Sequence, residues 1–268
     1  MAVHPTAIID PRAEVATDAE IGAYTVVGPW SVIGPRVRLG PHVVVVSHTR
    51  IGEGTQVHPH AVLGDAPQDL AFEDRQSWVD IGRNVVIREG VTIHRGTKAD
   101  STTLVGDGCF LMANSHVAHN VVLGHRVILA NGALLAGYVE VGPGAFISGN
   151  AVVHQFCRIG RLAMISGGSA ISQDVAPFCT TYSASRNRLA GLNVVGMRRA
   201  GFSAEERLQV RRAFRLLFRE GLSPSEAVAR IRAELPAGPA WEMADFAAAS
   251  KRGLVSFAPG PMGEGEDE

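Results

Sequence analysis

The chain has 268 residues, 46% of them apolar and 19% charged, enough to bury a sizeable core and too apolar for a disordered protein. Its 25 Lys and Arg against 26 Asp and Glu give a formal net charge of −1, which removes any global electrostatic case for binding nucleic acid or a membrane surface. Three widely spaced cysteines (Cys109, Cys157, Cys179) do not make a disulfide framework, no apolar run nears the roughly 18 residues of a spanning helix, and MAVHPTAIID is no secretory leader, so the expectation is a cytoplasmic protein without membrane insertion.

From the first residues the chain repeats with a period of six. Aliphatic residues stand at every sixth position from Val3 to Leu63, at Ile81, Ile87 and Ile93, and from Val105 to Ile171, making twenty-six hexads. Two residues before each aliphatic position sits a small or β-branched residue, such as Ala7, Thr25, Ser31, Ala133 or Ala163. Residues two apart share one face of a strand, so both point into a core and each hexad is one short strand and one corner. Three strands per coil of 18 residues close a triangular prism whose coils stack about 4.8 Å apart. Glycine often follows the aliphatic residue (Gly22, Gly28, Gly106, Gly160), where a corner is expected to need positive φ.

The period fails near 65–80 and 94–104, and these stretches are read as excursion loops leaving the prism. The first, DAPQDLAFEDRQSWVD, is either a ligand-covering loop or a plain solvent loop. The prism is assigned to residues 1–177 and an α-helical domain to 178–255. There Ser203 with Glu206 opens a helix ending near Gly221, Ser223, Pro224 and Glu226 open one ending near Pro236, and a third surrounds Trp241–Lys251. Arg198, Arg199, Arg207, Arg211, Arg212, Arg215 and Arg219 are either a solvated face or a dock for an acidic partner, and 256–268 read as an acidic flexible tail.

His116 and His119 form an H-x-x-H pair, but on adjoining hexads rather than one helical face, so no metal site is expected. One coil on from His119 along the same column comes Gly137, then Gln155. A neutral imidazole beside an exposed backbone N–H supplies a general base and an oxyanion donor, as acyl transfer requires, although on spacing alone the pair is equally a surface histidine and a turn glycine. No G-x-S-x-G elbow, dinucleotide fingerprint or P-loop occurs.

Several strings together resemble the acyl-carrier-protein-dependent UDP-N-acetylglucosamine O-acyltransferases of lipid A synthesis: QDL (68–70), IREGVTIHRGT (87–97), SHVAH (115–119), ILANGALLAG (128–137), HQF (154–156), SQDV (172–175) and RRAGFS (198–203). The resemblance implies a left-handed parallel β-helix, a homotrimer with clefts between subunits, and transfer of a (3-hydroxy)acyl chain from the phosphopantetheine of acyl carrier protein to the 3-hydroxyl of UDP-N-acetylglucosamine, with no bound cofactor. It implies His119 as general base and Gly137 as oxyanion donor. Gln68, Asp69, His116, Tyr138, His154, Gln155, Asn193 and Arg199 would bind substrates, Gly167 would set acyl length, and the arginines would meet the acidic carrier. Asn120, Tyr138 and Ala71 stand where the family typically has Asp, His and Lys, and TYSASRNRLAGLN departs from the usual stretch. The alternatives are a related enzyme acting on a 3-amino or other nucleotide sugar, the N-acyltransferase of the same pathway (which needs an extra N-terminal domain, with hexads here starting at Val3), a histidine-bound zinc hydratase, and a non-enzymatic scaffold.

Overall fold

In the computed structural model, which describes residues 2–257, the two inward positions of the hexads make one continuous core. Ile33, Leu63, Ile93, Leu129, Ile147 and Ile171 are at most 1% exposed, and Ala19, Ala61, Ala133 and Ala163 are fully buried. At several small positions that carry a polar atom the next coil satisfies it: Thr25 Oγ1 donates to the Gly40 carbonyl at 2.7 Å, Thr55 Oγ1 to Gly82 at 2.9 Å and Cys109 Sγ to Gly124 at 3.1 Å, whereas Ser31 Oγ and Ser115 Oγ are buried without a partner among the described residues. Burial pushes the Cys109 and Cys157 thiols up to about 11, so they act as packing rather than nucleophiles.

The strands form three sheets of twelve, nine and eight members, with parallel partners one coil apart: Val3 beside Ile21, Ile9 beside Val27, Val15 beside Ile33. The fold is a left-handed parallel β-helix. Gly64, after Leu63, does adopt positive φ, but the other glycines after the aliphatic positions have a different cause from the one expected. Positive φ occurs two residues later, at Tyr24, Trp30, Arg36 and their equivalents, whereas Gly22, Gly28 and Gly160 do not adopt it. What excludes a side chain there is the neighbouring coil: a Cβ on Gly28 would lie 1.8 Å from the Val46 carbonyl oxygen, and one on Gly160 2.3 Å from the Pro177 nitrogen.

The two interruptions leave from one edge of the prism, each following a strand of the nine-stranded sheet. Leu63 pairs with Ile93 and Ile93 with Val117, so the first loop adds twelve residues to a coil and the second six. The loops run over 66–77 and 95–101, shorter than expected because the flanking strands Val62–Asp65, Trp78–Ile81, Thr92–His94 and Thr102–Val105 are extended. Arg95, 8% exposed, ties them together: its guanidinium donates to Asp74 Oδ1 at 2.6 Å and to the Arg75 carbonyl at 2.8 Å. The Asp100 N–H also donates to the Gln76 carbonyl at 2.8 Å.

Beyond Pro177 the chain does not turn helical at once. Cys179–Thr181 joins the twelve-stranded sheet, Arg188–Leu192 pairs with it antiparallel, and Ser256–Phe257 returns to pair with Arg188–Leu192. These strands cover what would otherwise be an open sheet end, so the helical part starts at residue 194 rather than 178. It comprises α1 (Val194–Arg199), α2 (Ala204–Phe218), α3 (Pro224–Glu234) and α4 (Pro239–Ala248). Both capping boxes form, at Ser203 with Glu206 and at Ser223 with Glu226. The short α1, capped by Asn193, was not expected from sequence, and α4 is displaced towards the N-terminus of the expected span. The Arg161 guanidinium clamps Glu242 of α4 with bonds of 2.7–3.0 Å. Buried Asp174 accepts from the Arg158 N–H and from Ser250 Oγ, each at 2.8 Å, so the segment that follows α4 is latched to the last coils. Of the expected acidic tail only Ser256 and Phe257 fall within the described residues; 258–268 lie outside them.

Candidate active site

The edge that releases both loops also carries the corners holding His119, Gly137 and Gln155. Gly137 is where the next coil lets the imidazole in: a Cβ there would lie 2.2 Å from His119 Cε1 and 2.5 Å from Nε2. Among the described residues the Gly137 N–H has no acceptor. The Tyr138 ring meets the imidazole edge to face, centroids 5.3 Å apart, and stacks in turn on Phe156 at 5.0 Å.

His119 Nδ1 lies 3.1 Å from Asn120 Oδ1. The same oxygen accepts from the Thr97 backbone N–H and from Thr97 Oγ1, both at 3.0 Å. A backbone N–H can only donate, so the amide must present its oxygen there. His119 Nδ1, facing that oxygen, must therefore carry a proton, and in the neutral ring Nε2 is the nitrogen that keeps the lone pair. Among the described residues Nε2 makes no hydrogen bond.

A second histidine group adjoins the first. His116 Nδ1 lies 2.7 Å from Thr92 Oγ1, and its ring meets that of His94 at 4.8 Å. Burial, with smaller contributions from His94 and His119, pushes His116 down to about 4, so it is neutral at pH 7. Burial lowers His94 as well, and its Nδ1 has no partner.

Of the residues expected from sequence, His116, His119, Gly137 and Tyr138 come together. Among the described residues no hydrogen bond joins the others to this cluster. Gln68 and Asp69 are exposed on the first loop, where Asp69 Oδ1 accepts from the Ala71 N–H at 2.9 Å. His154 and Gln155 are exposed one coil further on, with His154 Nδ1 3.1 Å from the Gln155 carbonyl. Asn193 is occupied as the cap of α1, accepting from the Gly196 N–H at 2.9 Å and donating to the Leu162 carbonyl at 2.8 Å. Arg199 is exposed at the end of α1. A Cβ on Gly167 would find only the Gly149 carbonyl, at 3.5 Å, so the position is open. Sequence reading missed Thr92, His94 and Thr97. The signal for Thr97 was present, since the 94–104 interruption falls on the column that holds His119.

A family model described as UDP-N-acetylglucosamine O-acyltransferase, domain 2, matches residues 174–255, and one for bacterial transferase hexapeptide repeats matches 31–65 and 102–137. The acyl-[acyl-carrier-protein]–UDP-N-acetylglucosamine O-acyltransferase of Thermodesulfovibrio yellowstonii is 43% identical over 94% of this chain and 98% of its own length. The chain belongs to that family. It is an enzyme of the acyltransferase class. The family's fold is equally recognisable in space: the UDP-N-acetylglucosamine acyltransferase of Campylobacter jejuni superposes with a TM-score of 0.90 at 38% identity, over 96% of this chain and all of the other. The corresponding enzyme of Moraxella catarrhalis gives 0.90 at 38% identity over 95% of this chain and all of its own. Among the described residues no group of three or more His, Cys, Asp or Glu side chains is gathered to hold a metal ion, and no helix is long and apolar enough to cross a membrane.

Proposed function

We propose that this enzyme moves an acyl chain from the phosphopantetheine thioester of acyl carrier protein to the 3-hydroxyl of UDP-N-acetylglucosamine, with His119 as general base. The observation that carries this reading is His119 Nε2, without a hydrogen bond among the described residues, beside the unbonded N–H of Gly137. Nε2 takes the hydroxyl proton as the sugar oxygen attacks the thioester carbonyl, and the Gly137 N–H holds the oxyanion as it forms. Collapse of the tetrahedral intermediate breaks the carbon–sulfur bond, and the departing thiolate takes the proton from the imidazolium. The products are the 3-O-acyl sugar nucleotide and the free carrier thiol. No bound cofactor enters this scheme.

The assembly proposed is a homotrimer with its cleft between subunits. The outward positions of the nine-stranded sheet support it: Ile8, Leu134 and Val152 are 66%, 43% and 40% exposed, Val26, Val44 and Val62 continue the apolar face, and His116 lies among them. Across such an interface Gln68 and Asp69 of one subunit and His154, Gln155, Asn193 and Arg199 would line a shared sugar-nucleotide and pantetheine cleft, and the open space at Gly167 would admit the acyl terminus. Arg198, Arg199 and Arg211 are exposed without an acidic partner among the described residues, which suits an acidic carrier, whereas Arg212 and Arg215 are paired with Glu220. The compartment proposed is the cytoplasm.

The test is to incubate the protein with UDP-N-acetylglucosamine and a panel of acyl carrier protein thioesters and to weigh the products. A His119→Ala variant should lose on the order of 10²-fold or more in turnover, with the oligomer unchanged by light scattering. An unacylated sugar nucleotide in every reaction refutes the transfer, and a fully active His119→Ala refutes the base.

A further inference from the structure

Thr97 belongs to the second excursion loop and lies far from Asn120 in sequence, yet two of its atoms converge on one oxygen. Both the Thr97 N–H and Thr97 Oγ1 are 3.0 Å from Asn120 Oδ1, and Thr97 Oγ1 is also 2.8 Å from the Tyr138 hydroxyl. An amide oxygen cannot donate, so the Thr97 hydroxyl gives its proton to Asn120 and must accept one from Tyr138. The order of donors is then fixed, running from Tyr138 to Thr97 to Asn120, with His119 Nδ1–H converging on the same amide oxygen. Asn120 is itself pinned, since its backbone N–H donates to Thr103 Oγ1 at 2.8 Å.

The geometry points to Thr97 as a positioning residue: acting through Asn120, it holds the His119 imidazole in the tautomer whose Nε2 is free to accept a proton. This rests on the reading of His119 as the base. A carboxylate at 120 would accept at either oxygen and needs no such orientation. A neutral amide has one donor end and one acceptor end, and the wrong end towards His119 would draw the proton off Nδ1 and place it on Nε2, where it blocks base chemistry. The second excursion loop brings the two donors that exclude that orientation, and Tyr138 braces the hydroxyl from the other side.

The experiment reads the tautomer and the kinetics separately, on the full chain labelled with nitrogen-15. Long-range proton–nitrogen correlation at a pH where the imidazole is neutral should show His119 protonated at Nδ1 in the parent protein. Asn120→Leu should move the proton to Nε2, and Asn120→Asp should keep it on Nδ1. Thr97→Val removes one of the two donors at constant shape and should lower kcat by roughly fivefold to tenfold with KM unchanged, the size of one hydrogen bond, and Thr97→Ser should restore it. Circular dichroism and oligomer size guard against misfolding. A parent protein with His119 protonated at Nε2, or a Thr97→Val enzyme with unchanged kcat, overturns the inference. An Nδ1 tautomer in a protein whose His119→Ala variant is fully active would leave the positioning intact and refute the base instead.

Discussion

Gly137→Ala tests whether the imidazole must sit where it does. The backbone at 137 is outside the positive-φ region, so alanine carries no left-handed strain, and the atoms nearest the added methyl all belong to one side chain. That side chain is His119: Cε1 would be 2.2 Å away, where ordinary contact begins near 3.4 Å, so the ring must retreat by more than about 1 Å. It cannot retreat while keeping its 3.1 Å bond to Asn120 and its edge contact with Tyr138. A displacement of that size costs on the order of 10²-fold in rate, while stability should fall by only about 1–2 kcal/mol, the bond and ring contact that the imidazole gives up. Initial rates with acyl carrier protein thioester and UDP-N-acetylglucosamine, alongside a urea unfolding curve, give both numbers. Gly167→Ala is the control, since its methyl would find only an ordinary contact with the Gly149 carbonyl at 3.5 Å. It should keep turnover with short acyl chains and lose it selectively with long ones. A Gly137→Ala enzyme retaining more than a third of its kcat would refute the proposed geometry.

Two other outcomes follow from the core and the histidine pair. Gly28→Ala places a methyl 1.8 Å from a backbone carbonyl of the next coil and should destabilise the prism by about 3 kcal/mol or more, read as a lowered urea midpoint. His116, pushed down to about 4 in the folded chain, binds a proton more readily when unfolded. Stability should therefore fall as pH drops from about 6.5 towards 4, by on the order of 1–2 kcal/mol given its partial exposure, and His116→Gln should flatten that acid limb in melting curves taken at pH 4 to 7. An unchanged acid limb in the variant would show that His116 is not the group responsible.

The prism was legible because its core demands the same two residue types every six positions for nearly the whole length, and nothing else in a chain produces that pattern. Capping boxes gave two helices for a similarly local reason, a side chain that must meet an N–H three residues on. What failed to show was whatever depended on contact between coils. Gly28 and Gly160 read as residues needing positive φ, whereas the positive angles fall on residues such as Tyr24 and Asn120, and the glycines answer to a carbonyl or proline one coil away. The strand Arg188–Leu192 has no hexad to announce it and forms because an open sheet end needs a partner. At the site, column arithmetic sufficed for His119 and Gly137, which lie one plain coil apart. It could not reach Thr97, whose position is set by a loop of irregular path.

That distinction explains why the interruptions fall where they do. A regular prism offers side chains only on a grid, about 4.8 Å apart along each column, and some of its corner N–H groups are committed to the coil behind, as Tyr138 N–H is to the His119 carbonyl at 3.1 Å, while the Gly137 N–H stays unbonded among the described residues. Plain coils can bring a backbone N–H to an imidazole, as Asp107 N–H meets His125 Nδ1 at 3.1 Å, but the donors that orient the Asn120 amide come from outside the repeat. Six additional residues after His94 break it, and the Thr97 N–H arrives 3.0 Å from Asn120 Oδ1 as a result. The first loop, twelve residues longer than a plain turn, is fastened to the second through Arg95 and Asp74, so the donor that fixes the amide is itself held by a buried cation. Regular coils make a rigid edge, and the departures from regularity furnish it with the hydrogen-bond directions that a repeating corner lacks.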